Sequence, residues 1–207
     1  MMTIKTTVLL MLLGVLGACG STPSSTFYSL REASAALATP SASKESPKLA
    51  VMPINLPDLI DRPQLVVLSG GRQVRLLEHQ RWAEPLRREI PRLIAEDLGQ
   101  LLNSSGVVAL PADIQALAPD YRLLLDVQRL EASEGVGVDV DVVWVLSSRQ
   151  ATIRSGRTTL RQEFQKSGTS NTFTTTLIEA HRLGLQRVAA DIAEGFRAAT
   201  AASASLK

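Results

Sequence analysis

The sequence predicts an α/β protein, a three-layer sandwich in which a mixed β-sheet carries two main amphipathic helices. Three observations lead there. Apolar residues recur at helical spacing over two stretches, from Pro85 to Leu102 and from Thr174 to Ala199. Between them, Val138, Val140, Val142, Trp144 and Leu146 alternate with Asp139 and Asp141, the period of a strand with one buried face. Hydrophobic content of 45% with 20% charged residues is that of a globular chain, long enough to bury one core.

The chain begins with an export signal. Met1 to Lys5 is weakly basic, and Thr6 to Val15 is apolar but far shorter than the roughly 20 residues of a membrane-spanning helix. Leu16-Gly17-Ala18-Cys19 follows and resembles the bacterial lipobox. Small Gly17 and Ala18 let a signal peptidase grip the backbone, and the Cys19 thiol is a nucleophile able to take a diacylglycerol. Cys19 is the only cysteine, so no disulfide framework exists and the core must hold the fold. Residues 1–18 therefore read as a lipoprotein signal peptide, 19–26 as a lipidated Ser/Thr/Pro tether, and 27–207 as a single domain. Two or more acyl chains hold firmly where one is marginal, and a mature lipoprotein of this type carries three. Gly20, where an Asp retains enteric lipoproteins in the inner membrane, favours the outer membrane.

The elements follow in order. Phe27 to Leu30 reads as a short strand, and Arg31 to Lys48, rich in Ala, Ser and Pro, as a loop. Leu49 to Leu56 is a buried strand in which Pro53 marks an edge or a bulge. Leu56 to Pro63 is a loop with two prolines and two aspartates. Gln64 to Leu68 and Gln73 to Leu77 flank Ser69-Gly70-Gly71-Arg72, a hairpin signal. The first helix starts at Pro85 with Leu86, Ile90, Leu93, Ile94, Leu98, Leu101 and Leu102 on one face; Pro91 should distort it, and Gly106 lies beyond its end. Val107 to Leu110 is a short strand, and Pro111 to Pro119 holds a helical turn. Tyr121 to Leu130 and Val138 to Leu146 are the clearest strands, continued by Thr152 to Arg154 and Thr158 to Phe164 around Ser155-Gly156. The second helix places Leu177, His181, Leu185, Val188, Ile192 and Phe196 on one face, with Thr174 or Thr175 as its N-cap.

Chemistry is sparse. There is no Gly-x-Ser-x-Gly elbow, no Gly-rich phosphate loop and no His-rich metal spacing. His79 and His181, the only histidines, fall on different elements. Asp139 and Asp141 share a strand face and could bind a metal, but such alternation reads first as a solvated side. Catalysis has no residue to rest on, and neither a cofactor nor a metal is expected. A net charge of +2, one unit of it on Lys5, argues against nucleic acid as a partner.

Three segments then carry a resemblance. Leu56-Pro57-Asp58-Leu59-Ile60-Asp61-Arg62-Pro63-Gln64-Leu65-Val66, Arg81-Trp82-Ala83-Glu84-Pro85-Leu86, and Asp120-Tyr121-Arg122-Leu123 with Asp126-Val127-Gln128-Arg129 occur in order behind the lipobox. Together they resemble the ABC-type transport auxiliary lipoproteins, relatives of paraquat-inducible protein C. The resemblance spans nearly all the mature chain and departs from the family in the long Ala33-to-Lys48 stretch. It implies a three-layer α/β fold and an outer-membrane lipoprotein working beside a mammalian-cell-entry (MCE) domain membrane protein in lipid transport. Ring-like homo-oligomers are a further implication.

Physical roles can be set on these segments. Pro57 and Pro63 stiffen the loop, so it has less entropy to lose on docking. Arg62 offers a planar fork to a carboxylate or phosphate. Trp82, if exposed, would anchor an interface. Asp58, Asp61, Arg62, Pro63, Arg81 and Trp82 are thus the candidates for partner contact or self-association. On the plainer reading the loop only closes a turn, Arg62 pairs with Asp58 or Asp61, and Trp82 caps the core. Two functions compete: a non-catalytic accessory subunit, and a periplasmic carrier or chaperone holding acyl chains in its own domain. An internal apolar tunnel would favour the second and a filled core the first. An envelope hydrolase comes third, for want of a nucleophile constellation.

The lipobox generates the first prediction. Cys19→Ala should abolish palmitate labelling and leave an unprocessed or soluble form; continued fractionation with the outer membrane would show that lipid is not the anchor.

Overall fold

A computed structural model describes residues 24–31, 48–70, 72–110, 119–149, 151–164 and 170–204. The expected signal peptide, Cys19, most of the 31–48 loop and the helical turn after Leu110 lie outside these. In chain order the elements are β1 (Thr26–Tyr28), β2 (Leu49–Val51), β3 (Gln64–Ser69), β4 (Gln73–Trp82), α1 (Leu86–Leu101), β5 (Val107–Ala109), β6 (Tyr121–Ser133), β7 (Gly137–Ser148), β8 (Thr152–Glu163) and α2 (Ser170–Ala204).

Strand β6 organises the sheet. Along one edge it pairs antiparallel with β7, which pairs antiparallel with β8. Along the other edge two short strands share it, both parallel: β2 at its start, Leu49 opposite Tyr121, and β3 at its end, Val67 opposite Ala132. Beyond β2 lies parallel β5; beyond β3 lie antiparallel β4 and then parallel β1. This curled mixed sheet and the two helices packed on it make the three-layer α/β arrangement that the sequence predicts.

Alternation is legible in the burial. Val138, Val140, Val142, Trp144 and Leu146 are all buried, facing the helices. The indole of Trp144 fills the gap between β8 and α2 so tightly that only glycine fits opposite it. A Cβ at Gly156 would sit 2.3 Å from Trp144 Cζ2, and one at Gly195 2.6 Å from Cη2. Gly156 therefore does not divide two strands as the sequence suggests. It serves a close approach within one continuous β8.

Other bounds shift for local reasons. β2 stops at Val51 because Pro53 has no N–H to donate, although Met52 and Asn55 still donate to Leu123 and Leu125. The β3–β4 turn puts Gly70 at φ 59°, and β4 runs on to Trp82. Helix α1 continues through Pro91, which takes away only the donor for the Arg87 carbonyl. It ends on a left-handed Asn103 (φ 49°), with Ser104 N–H donating to the Gly99 carbonyl. Its stripe is buried from Leu86 to Leu98, whereas Leu101 is 40% exposed. Helix α2 starts at Ser170, a turn earlier than expected, so Thr174 is a fully buried helical residue rather than an N-cap. The α2 stripe from Leu177 to Phe196 is buried throughout.

Two polar groups tie the layers together. Arg182 of α2 makes a two-pronged ion pair with Asp97 of α1, both contacts at 2.7 Å, with side chains only 17% and 8% exposed. His181 lies beneath Trp82, ring centroids 5.8 Å apart and edge-on, and its Nδ1–H donates to the Leu177 carbonyl at 2.8 Å. Burial pushes its pKa down to about 4, against the opposing hydrogen bond, so the ring is neutral at physiological pH.

Arg182→Ala strands Asp97 among apolar neighbours and should cost about 3 kcal/mol, whereas Arg182→Lys, which cannot fork, should lose part of that. Thermal melting of the mature domain checks this; an unchanged midpoint would remove the ion pair from the fold's supports. For His181 the native pKa lies below the unfolded one, so the unfolded state binds more protons between the two. Stability should be fully present above about pH 6.5 and fall by up to about 3 kcal/mol as pH drops towards 4. His181→Phe should flatten that part of the stability–pH curve, and equal slopes in both proteins would mean that His181 titrates normally.

Candidate interaction surface

The loop from Leu56 to Pro63 leaves the sheet edge where β2 ends and returns where β3 begins. Ile60 and Asp61 both donate to the Pro57 carbonyl, at 3.0 and 3.1 Å, and Arg62 donates to Ile60 at 2.9 Å, giving a tight turn. Buried Leu56 and Ile60 pin it to the core. A hydrogen bond of 2.8 Å from Trp82 N–H to the Pro63 carbonyl then joins the loop to the end of β4. The two separate sequence segments, Asp58 to Pro63 and Arg81 to Trp82, thus meet in space.

Their side chains have distinct fates. Asp61 is held by Arg87 in the first turn of α1, while Asp58 and Pro63 are exposed. Arg62 has no carboxylate partner among the described residues. Its Nη2 reaches only the Asp58 carbonyl, at 3.2 Å, and its Nε is buried with no acceptor. The plainer expectation of an Arg62 pair with Asp58 or Asp61 is thus not met. Arg81 donates from Nε to the Glu78 carbonyl at 3.0 Å.

Trp82 is only 7% exposed, packed on His181. It belongs to the core, because the last residue of β4 turns inward over α2, and it cannot serve as an exposed anchor. An aromatic does stand on the surface one strand away. β1 pairs with β4 in register, Phe27 opposite Arg81, and Phe27 is 63% exposed while Tyr28 packs inward. A three-residue strand carries too little alternation to reveal this; the inward and outward sense of Phe27-Tyr28 was the only signal available.

The segment just after β1 is fastened to α1. Glu89, fully buried, accepts hydrogen bonds at Oε1 from Ser29 Oγ (2.5 Å) and Leu30 N–H (2.8 Å), and Arg31 pairs with Glu96. On the opposite face of the sheet, Asp139 and Asp141 are each gripped by a two-pronged arginine, Arg161 and Arg157. The Arg157 hydrogen bonds hold the Asp141 carboxyl below its usual range. Carboxylates so occupied are poor ligands for a cation, and among the described residues no acidic or histidine cluster has metal-binding geometry.

Beneath the loop is a small cleft lined by Ile60, Leu65, Trp82, Leu86, Leu177 and His181, with a volume of about 10 Å³, room for about one water and not for an acyl chain. No helix among the described residues is long and apolar enough to cross a membrane.

Comparison with known proteins places this geometry. The family described as "ABC-type transport auxiliary lipoprotein component" matches residues 28–193. No curated protein matches the chain. Among solved structures, an uncharacterized protein shares the fold at a TM-score of 0.60 and 18% identity, over 83% of this chain and 98% of that one. A Xanthomonas campestris protein of family DUF330 does so at 0.58 and 21%, over 88% of this chain and all of that one. Those likenesses concern the fold. With far more than half of its length inside the family match, the chain belongs to the ABC-type transport auxiliary lipoprotein component family.

Proposed function

We propose that this protein is a non-catalytic accessory subunit, anchored by lipid on Cys19 in the outer membrane, that engages an MCE-domain partner in an ABC-type lipid-transport system. Family membership carries the auxiliary role. The contact itself rests on Arg62. The Arg62 guanidinium is half-buried and its Nε is buried without an acceptor, at a cost of roughly 1–3 kcal/mol, so turning the fork outward to an incoming carboxylate would both form charge-assisted bonds and relieve that cost. Around it, exposed Asp58 and Pro63, the backbone-tied Arg81 and the outward Phe27 form a surface with two arginines and one aromatic, the residue types that dominate interface energetics. Asp61 contributes by positioning, since its bond to Arg87 keeps it from neutralising Arg62. The same surface is the one we assign to self-association, should the subunits form a ring.

Arg62→Met, which keeps the stem but removes the fork, should leave the melting temperature of the mature domain unchanged while weakening co-purification with the partner. A central anchor would lose on the order of 2 kcal/mol, about thirtyfold in affinity. Phe27→Ala should behave likewise, whereas Trp82→Ala should lower the melting temperature. Sedimentation of the purified domain separates partner contact from self-association. Intact assembly in both surface variants would move the contact elsewhere.

A further inference from the structure

The topology fixes how far the domain can stand from its membrane. β1 runs parallel to β4, with Thr26 opposite Gln80, so the chain enters β1 from the end where β4 begins. From Gln80 back to Gln73 is seven residues, at most about 23 Å of strand. From Cys19 to Thr26 is also seven residues, which reach about 24 Å when fully extended. A lipid on Cys19 therefore cannot lie appreciably beyond the β3–β4 turn.

That end of the sheet has a definite chemistry. Val74 pairs with Leu68, Leu68 with Ser133, and Ser133 with Gly137, so the β3–β4 and β6–β7 turns lie level across the sheet. Each turn presents an exposed valine, Val74 at 46% and Val136 at 44%. Exposed Arg72 and Arg75 stand beside Val74, and Arg75 reaches the second turn through Glu134, paired with it at 3.5 Å. Solvated turns ordinarily carry small polar residues, whereas exposed valines with arginines at one of the two turns suit the boundary between headgroups and acyl chains. Alone, two valines would bind lipid feebly. Next to an anchored Cys19 the encounter becomes intramolecular, and a weak contact suffices.

We propose that the β3–β4 and β6–β7 turns rest on the lipid bilayer, with Val74 and Val136 at its surface and Arg72 among anionic headgroups. This orientation rests on the reading that Cys19 is the lipid anchor. It leaves the Asp58-to-Pro63 loop at the far end of β3, about six residues or 20 Å from the bilayer, free to meet a partner.

Full-length lipidated protein, reconstituted into vesicles of phosphatidylethanolamine and phosphatidylglycerol, provides the test. Acylation occupies the native thiol, so Val74→Cys, Val136→Cys and, as a distant control, Leu124→Cys each accept one environment-sensitive fluorophore. Spin-labelled lipid should quench the probes at 74 and 136 severalfold more than at 124, with a blue shift at the first two. Equal quenching at all three sites, strongest quenching at 124, or three unquenched probes on protein that floats with the vesicles would overturn the orientation. Protein that does not float would refute the anchor, and the orientation would fall with it.

Discussion

A single strand determines the layout of this protein, because β6 gives the whole of one edge to β7 and divides the other between two partners. Antiparallel pairing along Tyr121–Ser133 builds the broad floor on which α2 lies. On the divided edge, β2 and β3 both run parallel to β6, with the Asn55–Asp126 bridge between them. The chain therefore follows β6 from end to end, except where Leu56 to Pro63 swings out and back. β6 is itself irregular there, its register with β7 shifting between Val127 and Arg129. The loop is thus a consequence of one strand sharing another's edge, and its rigidity comes from both anchored ends as well as its prolines.

What could be read from the sequence was what repeats. The Val138-to-Leu146 alternation and the two helical stripes each involve five or more positions under the same constraint, so the pattern rises above chance and the burial follows it. What could not be read depends on single residues whose meaning is set by distant neighbours. Gly156 looks like a strand break until Trp144, twelve residues earlier in the chain, is seen to require it. Trp82 looks like a surface anchor because it precedes a helix, yet the inward end of β4 sets it over His181. Thr174 has the chemistry of a cap, but the helix finds another turn ahead of it. The motif segments led correctly to the family and to the loop, while the true pairing of Asp61, with Arg87 rather than Arg62, lies twenty-six residues away and leaves no local trace.

The buried Glu89 makes sense in relation to the proposed anchor. β1 has only three residues and one neighbour, so its ladder alone would hold the tethered end weakly. Burying a carboxylate with one oxygen unpartnered is costly, but the other oxygen receives two donors from Ser29 and Leu30, bonds stronger for being charge-assisted. Arg31 with Glu96 adds a second tie one residue further on. A pull on the start of β1 therefore passes into α1, and from α1 through Asp97 and Arg182 into α2. The proposed interaction surface at Arg62 abuts the first turn of α1, joined to it by Asp61 and Arg87. The point where the proposed tether joins the domain and the proposed contact surface are in this way fixed to one helix and keep a set relation to each other, so the cost of burying Glu89 is offset by a pre-set geometry for whatever docks there.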